Sequence, residues 1–222
     1  MNELELVLTH TTTLAIALIT AFLFYKMVVR YKENRSMPLF FLMIYFLFFS
    51  IDYVLTFFIR FPTENFAKAY PILLVLTFLI ARSKSFFSAM FGIYTLTPRH
   101  GKIISILPLA LVIMIIALII LNPPVWIKTR SGITEAVMNE GAIPAIWISI
   151  ALDLIAPLCF FAYSAVTPDK KSRIKGLIIS LSFFCLIFLI DFQEPLGALL
   201  PLYIRRVLIL ASVILLYLGF TK

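Results

Sequence analysis

Three carboxylates stand in stretches that are otherwise almost wholly apolar: Asp52 in MIYFLFFSIDYVLTFF, Asp153 in AIWISIALDLIAPLCF and Asp191 in SFFCLIFLIDF. An ionised carboxylate in hydrocarbon costs at least about 2.5 kcal/mol, so such residues face a bundle interior or a water-filled cavity and are candidates for binding a proton, a cation or a polar ligand. Glu194 follows closely on Asp191, and Arg205 and Arg206 stand across a short connection, placed to pair with these acids through charge-assisted hydrogen bonds. Asp52 precedes Arg60 by eight residues and Asp153 follows Pro144 by nine, which sets both about 12 to 14 Å below one edge of a membrane. At that common depth they can share one outward-facing pocket. The alternative is that they are interhelical ion pairs or hydrogen bonds that fix the bundle, and the residue types do not decide between the two.

Two cations pose the converse question. Arg82 and Lys84 sit midway in a helical pattern that runs from Phe66 to Leu96, roughly 46 Å at 1.5 Å per residue. Counting about 20 residues from Ala69 places them within two turns of the cytoplasmic face, where they are expected to snorkel; a buried functional role is the other reading. Ser85 to Leu96 would then be a helical extension or an interfacial helix, presenting Phe86, Phe87, Met90, Phe91 and Tyr94 to lipid or to a partner.

The elements that hold these residues follow from composition. With 62% hydrophobic residues, 22 Phe, 14% charged residues and a mean hydropathy of +1.05, the chain lies far from a soluble domain, whose apolar share is about half. The expectation is an all-α integral membrane protein, because hydrocarbon offers no partner for open backbone groups and no alternating ten-residue segments suggest a barrel. Apolar stretches near 8–29, 38–59, 69–91, 103–121, 144–166, 176–191 and 202–220 predict a seven-transmembrane-helix bundle forming one domain over 1–222. The first stretch is too long for a signal-peptide core and follows Glu3 and Glu5, so it reads as a retained helix.

Charge orients the bundle. The first, third and fifth connections and the C-terminus carry Lys26, Arg30, Lys32, Arg35, Arg99, Lys102, Lys170, Lys171, Arg173, Lys175 and Lys222; the other side carries Arg60, Lys68, Lys128, Arg130, Arg205 and Arg206. Eleven cations against six place the N-terminus outside and the C-terminus in the cytoplasm. The net charge of +8 then reports orientation and contact with anionic cytoplasmic lipid in a cell membrane. Nucleic acid is not an expected partner, because the cations are scattered over separate short loops.

Metal and cofactor chemistry find no support. Cys159 and Cys185 lie within spans, with no CxxC or Cys/His cluster, and read as core-filling residues. His10 and His100 are isolated, His10 reading as an interfacial histidine rather than a pH sensor. The chain has no GxSxG, HExxH, Walker A or GxGxxG pattern and no Lys in the middle of the seventh span for a retinal Schiff base, so no enzyme and no cofactor are expected. Pro71, Pro108 and Pro157 are expected to kink spans three, four and five. The connection from Asn122 to Ile143, with Trp126 as an interface anchor, reads as a lid or an ordered cap.

A shift of 139 residues lays Ile44–Tyr53 on Phe183–Phe192, matching Leu47 with Leu186, Phe49 with Phe188, Ile51 with Ile190 and Asp52 with Asp191. The same shift superposes spans one to three on five to seven, a parallel 3+1+3 repeat of the kind related by an axis along the membrane normal.

The basic turn Arg30 to Arg35, the outer connection opening Leu121-Asn122-Pro123 with Trp126, Gly141 and Trp147 entering span five, and the basic link before span six resemble the seven-helix sensor module at the N-terminus of some histidine kinases. The resemblance implies ligand or membrane sensing with output on the cytoplasmic side. The kinase that such modules drive is not in this stretch, so output would pass to a separate subunit docked on the basic loops. Three readings therefore stand: a non-enzymatic sensor or receptor-like subunit; a small transporter or channel for a cation, proton or small solute using the intramembrane aspartates; and an accessory subunit of a membrane complex. A homo-oligomer is compatible with each.

Overall fold

The computed structural model describes residues 3–60, 70–128, 134–137, 139–192 and 200–221. Glu194, Lys68, Arg130 and the side chain of Trp126 lie outside the described residues. Among the described residues eight α-helices follow one another: α1 (Glu3–Asn34), α2 (Met37–Arg60), α3 (Tyr70–Leu96), the single turn α4 (Gly101–Ile104), α5 (Ile106–Leu121), α6 (Ile143–Val166), α7 (Lys170–Ile187) and α8 (Leu202–Thr221). With α4 and α5 counted as one span, seven helices are long and apolar enough to cross a membrane. Between α5 and α6, strands β1 (Val125–Lys128) and β2 (Thr134–Val137) pair antiparallel with Trp126 opposite Ala136, so part of the long connection is a small hairpin that the apolar pattern did not announce.

The stripes that pack the bundle repeat every three and four residues. On α1 the buried positions among the described side chains are Thr9, Thr13, Ile16, Ala17, Thr20, Leu23 and Met27, steps of three and four residues that keep one stripe facing its neighbours. The threonines do not break this apolar seam, since Thr13 Oγ1 donates to Thr9 O at 2.6 Å and Thr20 Oγ1 to Ile16 O at 2.7 Å. Ser50 Oγ reaches across from α2 to Ala17 O at 3.1 Å.

Adjacencies close a ring: α1 packs on α2, α2 on α3, α3 on α6, α6 on α7, α7 on α8, and α8 back on α1, while α5 packs outside it on α3 and α6. The position of α5 matches its make-up, for it is the most apolar span and the least buried, touching its neighbours through Val112, Ile115 and Ile119. Inside the ring the core is aromatic. Phe91 of α3 lies 4.9 Å from the Phe160 ring of α6, 6.2 Å from Phe183 of α7 and 5.7 Å from Phe220 of α8.

Of the two readings of Ser85 to Leu96 the helical extension is the one found, but the side chains expected on lipid or a partner turn inward. This segment continues α3 without interruption, and Met90, Phe91 and Tyr94 are buried in the main core rather than turned to lipid. Phe86 and Phe87 are half-buried against the same core. The prolines are corrected as well: Pro71 is the second residue of α3 and Pro108 the third of α5, where a missing N–H breaks no helical bond, and of the three only Pro157 lies in a helix interior.

Arg35, at φ 40°, ends α1 in the left-handed region and donates its N–H to Tyr31 O at 2.8 Å, the single-bond form of a helix C-cap. At the start of α7 the Asp169 side chain accepts from the Lys171 and Ser172 backbone N–H groups, which satisfies donors that the first turn leaves open. The Ser172 hydroxyl, donating to the same carboxylate, and the Ser172 N–H hold the Asp169 carboxyl below its ordinary range.

Candidate functional site

The charged residues singled out by type meet in one layer inside the ring, with α3 at its centre. Asp52, Arg82, Asp153 and Arg206 each lie about 13 to 15 residues from the end of their helix that faces the basic connections, roughly 20 to 22 Å along it. Arg82 is 4% exposed, Lys84 3%, Asp52 6%, Asp153 3%, Asp191 3% and Arg206 7%. Arg82 and Lys84 therefore do not snorkel. Their length is spent reaching carboxylates on other helices, which lowers the cost of burying the charge more than a long reach to the interface would.

The pairings cross the ring. Lys84 Nζ donates to Asp52 Oδ2 of α2 at 3.3 Å, and Arg82 Nη1 donates to Asp191 Oδ1 at 2.6 Å. The same Arg82 nitrogen lies 3.1 Å from Ser149 Oγ of α6. Ser85 Oγ, on the next turn of α3, donates to Asp153 Oδ2 of α6 at 2.5 Å. Three neighbouring residues of one helix thus hold partners on α2, on α6 and on the turn that closes α7. Aromatic faces complete the layer: Lys84 Nζ stands 4.9 Å from the Phe49 ring centroid and Arg206 Cζ 4.8 Å from that of Tyr53, both cation–π distances.

Local structure explains the aim of these side chains. Asp191 sits in a π-helical turn, Phe188–Phe192, that closes α7; the wider turn departs from the α-helical register as it delivers the carboxylate to Arg82. On the opposite side, α3 meets α6 through small residues. A Cβ on Gly92 would stand 2.7 Å from Ala156 Cα, so the two backbones approach closely two turns from Ser85 on α3 and one turn from Asp153 on α6.

Several expectations are revised. The three carboxylates are not open to solvent in one outward-facing pocket; each is buried and bonded to α3. Asp191 is matched by Arg82 and not by Arg205 or Arg206 across the connection. Arg206 instead lies over Tyr53, while Arg205 is half-buried at the start of α8. Among the described residues no group of three His, Cys, Asp or Glu is placed to hold a metal ion. Ser85, Ser149, Phe49 and Tyr53 were not singled out from sequence. The signal was there for two of them: Arg82, Ser85, Ala89 and Gly92 follow the 3-4-3 spacing of a helix seam, and Ser149 precedes Asp153 by one turn.

Fold and site together define the class: a bundle of seven helices of membrane-spanning length and apolarity, with a buried polar layer. Compared with known proteins, the chain matches no protein-family model, no curated protein and no solved structure.

Proposed function

We propose that the chain is a non-enzymatic, receptor-like sensor of the cell membrane, with its N-terminus outside and its output passed to a cytoplasmic partner on the basic loops. The observation that carries this reading is the position of α3. Its residues Arg82, Lys84 and Ser85 bind α7, α2 and α6 at once, so rotation or sliding of α3 must exchange all three contacts together. Packed, paired interiors of this kind are bistable rather than continuously deformable, which suits a two-state element. From Ser85 the helix continues to Leu96 and then to the exposed Arg99 and Lys102, a rigid path of roughly 17 Å to the basic end. A ligand, or a property of the bilayer, acts on such an element only through differential affinity for its two states. The resemblance to the sensor modules of histidine kinases favours the same reading.

Transport of a proton, cation or small solute is the second reading, and the ring order favours it. The 3+1+3 repeat assigns α1, α2 and α3 to α6, α7 and α8; carrying each adjacency of the ring through that assignment returns another adjacency of the ring, as a two-fold axis along the membrane normal requires. Asp52 and Asp191 then occupy related positions on α2 and α7.

Reconstitution separates the two. Liposomes holding the protein are expected to show no proton or cation flux above protein-free liposomes. In the same preparation, Arg82→Gln is expected to change the rate at which a cysteine introduced by His100→Cys reacts with an aqueous maleimide several-fold. Flux that Asp52→Asn or Asp191→Asn abolishes would overturn the sensor reading in favour of transport.

A further inference from the structure

A hollow of about 250 Å³ opens at the basic end of the seam between α1 and α8, lined by Lys26, Met27, Val29, Arg30 and Glu33 of α1 and Tyr217 of α8. It lies apart from the buried layer. Lys26, Arg30 and Glu33 fall at i, i+4 and i+7, so they stand on one face of α1 and span roughly 10 Å along the axis. Arg30 is anchored: its Nη1 donates to Phe220 O, near the end of α8, at 2.9 Å. A guanidinium has five N–H groups, so this anchor leaves donors for an anion beside it. Lys26 Nζ stands 5.4 Å from the Phe22 ring centroid, and Phe22 in turn meets the Tyr217 ring at 6.3 Å.

Exposed apolar residues extend away from this hollow toward the middle of the bundle. Leu18 and Phe22 precede Lys26 by two turns and one turn on the same face of α1, and Ile214 precedes Tyr217 by one turn of α8; all three are exposed. An apolar strip thus leads from the hollow toward the middle of the bundle, while Glu33 stands at its opposite, aqueous edge.

We propose that this hollow binds one phospholipid, its phosphate held by Lys26 and Arg30, its acyl chains laid along Leu18, Phe22 and Ile214, and a donor-bearing headgroup, such as ethanolamine, hydrogen-bonded to Glu33. The order of groups along α1 matches their order along a lipid: apolar, then cationic, then an acceptor at the water side. A free phosphate would use the two cations but neither the strip nor Glu33. The inference rests on the bundle spanning a bilayer and is independent of whether it senses or transports.

The test uses the whole protein, reconstituted in bilayers of equal parts phosphatidylethanolamine and phosphatidylcholine, released in mild detergent and weighed by native mass spectrometry. One retained phosphatidylethanolamine per chain is expected. Retention should fall about fivefold for each cation removed in Lys26→Gln and Arg30→Gln, and stay unchanged in Lys170→Gln/Arg173→Gln at the same end of the bundle. Glu33→Gln should erase the preference for ethanolamine over choline, whose headgroup has no N–H to donate. Val29→Trp, which fills the hollow and leaves the charges in place, should release the lipid from a chain that still melts like wild type. Retention that survives both Lys26→Gln and Val29→Trp would overturn the proposal, as would displacement of the lipid by millimolar inorganic phosphate, which would make the hollow a simple anion site.

Discussion

Arg82 and Asp191 are each nearly sealed from solvent, and they meet at 2.6 Å with Ser149 against the same guanidinium nitrogen. Removing Arg82 leaves the Asp191 charge buried without this counter-ion, which in protein interiors costs about 3–5 kcal/mol, whereas an exposed pair contributes about 1 kcal/mol or less. Arg82→Leu should therefore be strongly destabilising, and Arg82→Leu/Asp191→Leu should recover most of the loss, since the double change removes both charges. Unfolding titrations of the two single variants and the double form the cycle. A single-variant loss near 1 kcal/mol would mean that the pair is solvated and not buried. Sequence alone exposed the acids at this scale, because a carboxylate among phenylalanines is conspicuous by type. It did not expose their partners: Asp191 lies 109 positions from Arg82, while the nearby Arg205 and Arg206 offered an equally plausible match until the fold showed Arg82 reaching Asp191 across the ring.

Helices as elements were legible in the sequence, since seven apolar stretches of bilayer length leave the backbone no other solution, although α1 and α7 begin five and six residues ahead of their apolar stretches, in charged sequence. Their inward faces were less so. Arg82 and Lys84 suggested an exit from the membrane because depth was counted along α3 alone, whereas the cost of depth is set by what the other helices supply. What brings α6 close enough to supply it is Gly92. A Cβ there meets Ala156 Cα at 2.7 Å, a backbone atom that cannot step aside, while a Cβ on Gly219 meets Ile179 Cγ1 at 2.8 Å, which a rotamer change can move. Glycine to alanine raises helix propensity at both sites alike, so the difference between the two variants isolates the contact. Gly92→Ala should cost about 1–3 kcal/mol from overpacking and Gly219→Ala should be close to neutral, as read by thermal unfolding in detergent. Equal melting of the two would show that the α3–α6 approach is not limiting.

At the scale of the whole molecule, the two groups of three helices are joined across two faces of the ring, α3 against α6 and α1 against α8. Charges join them too: Arg82 of the first group holds Asp191 of the second, and Ser85 holds Asp153. Each group alone therefore leaves a buried charge without its partner, although each carries three spans with short connections of its own. Cutting the chain between Asn122 and Asn139, in the connection that spans neither group, should yield two fragments that are degraded when expressed singly and that co-purify when expressed together. Arg82→Leu in the first fragment should sharply reduce recovery of the second, because association would strand Asp191 in the interior, and Asp191→Leu in the second fragment should restore it. A fragment that is stable alone, or recovery indifferent to Arg82→Leu, would mean that the apolar faces suffice to assemble the ring and that the buried layer is free to serve only the change of state.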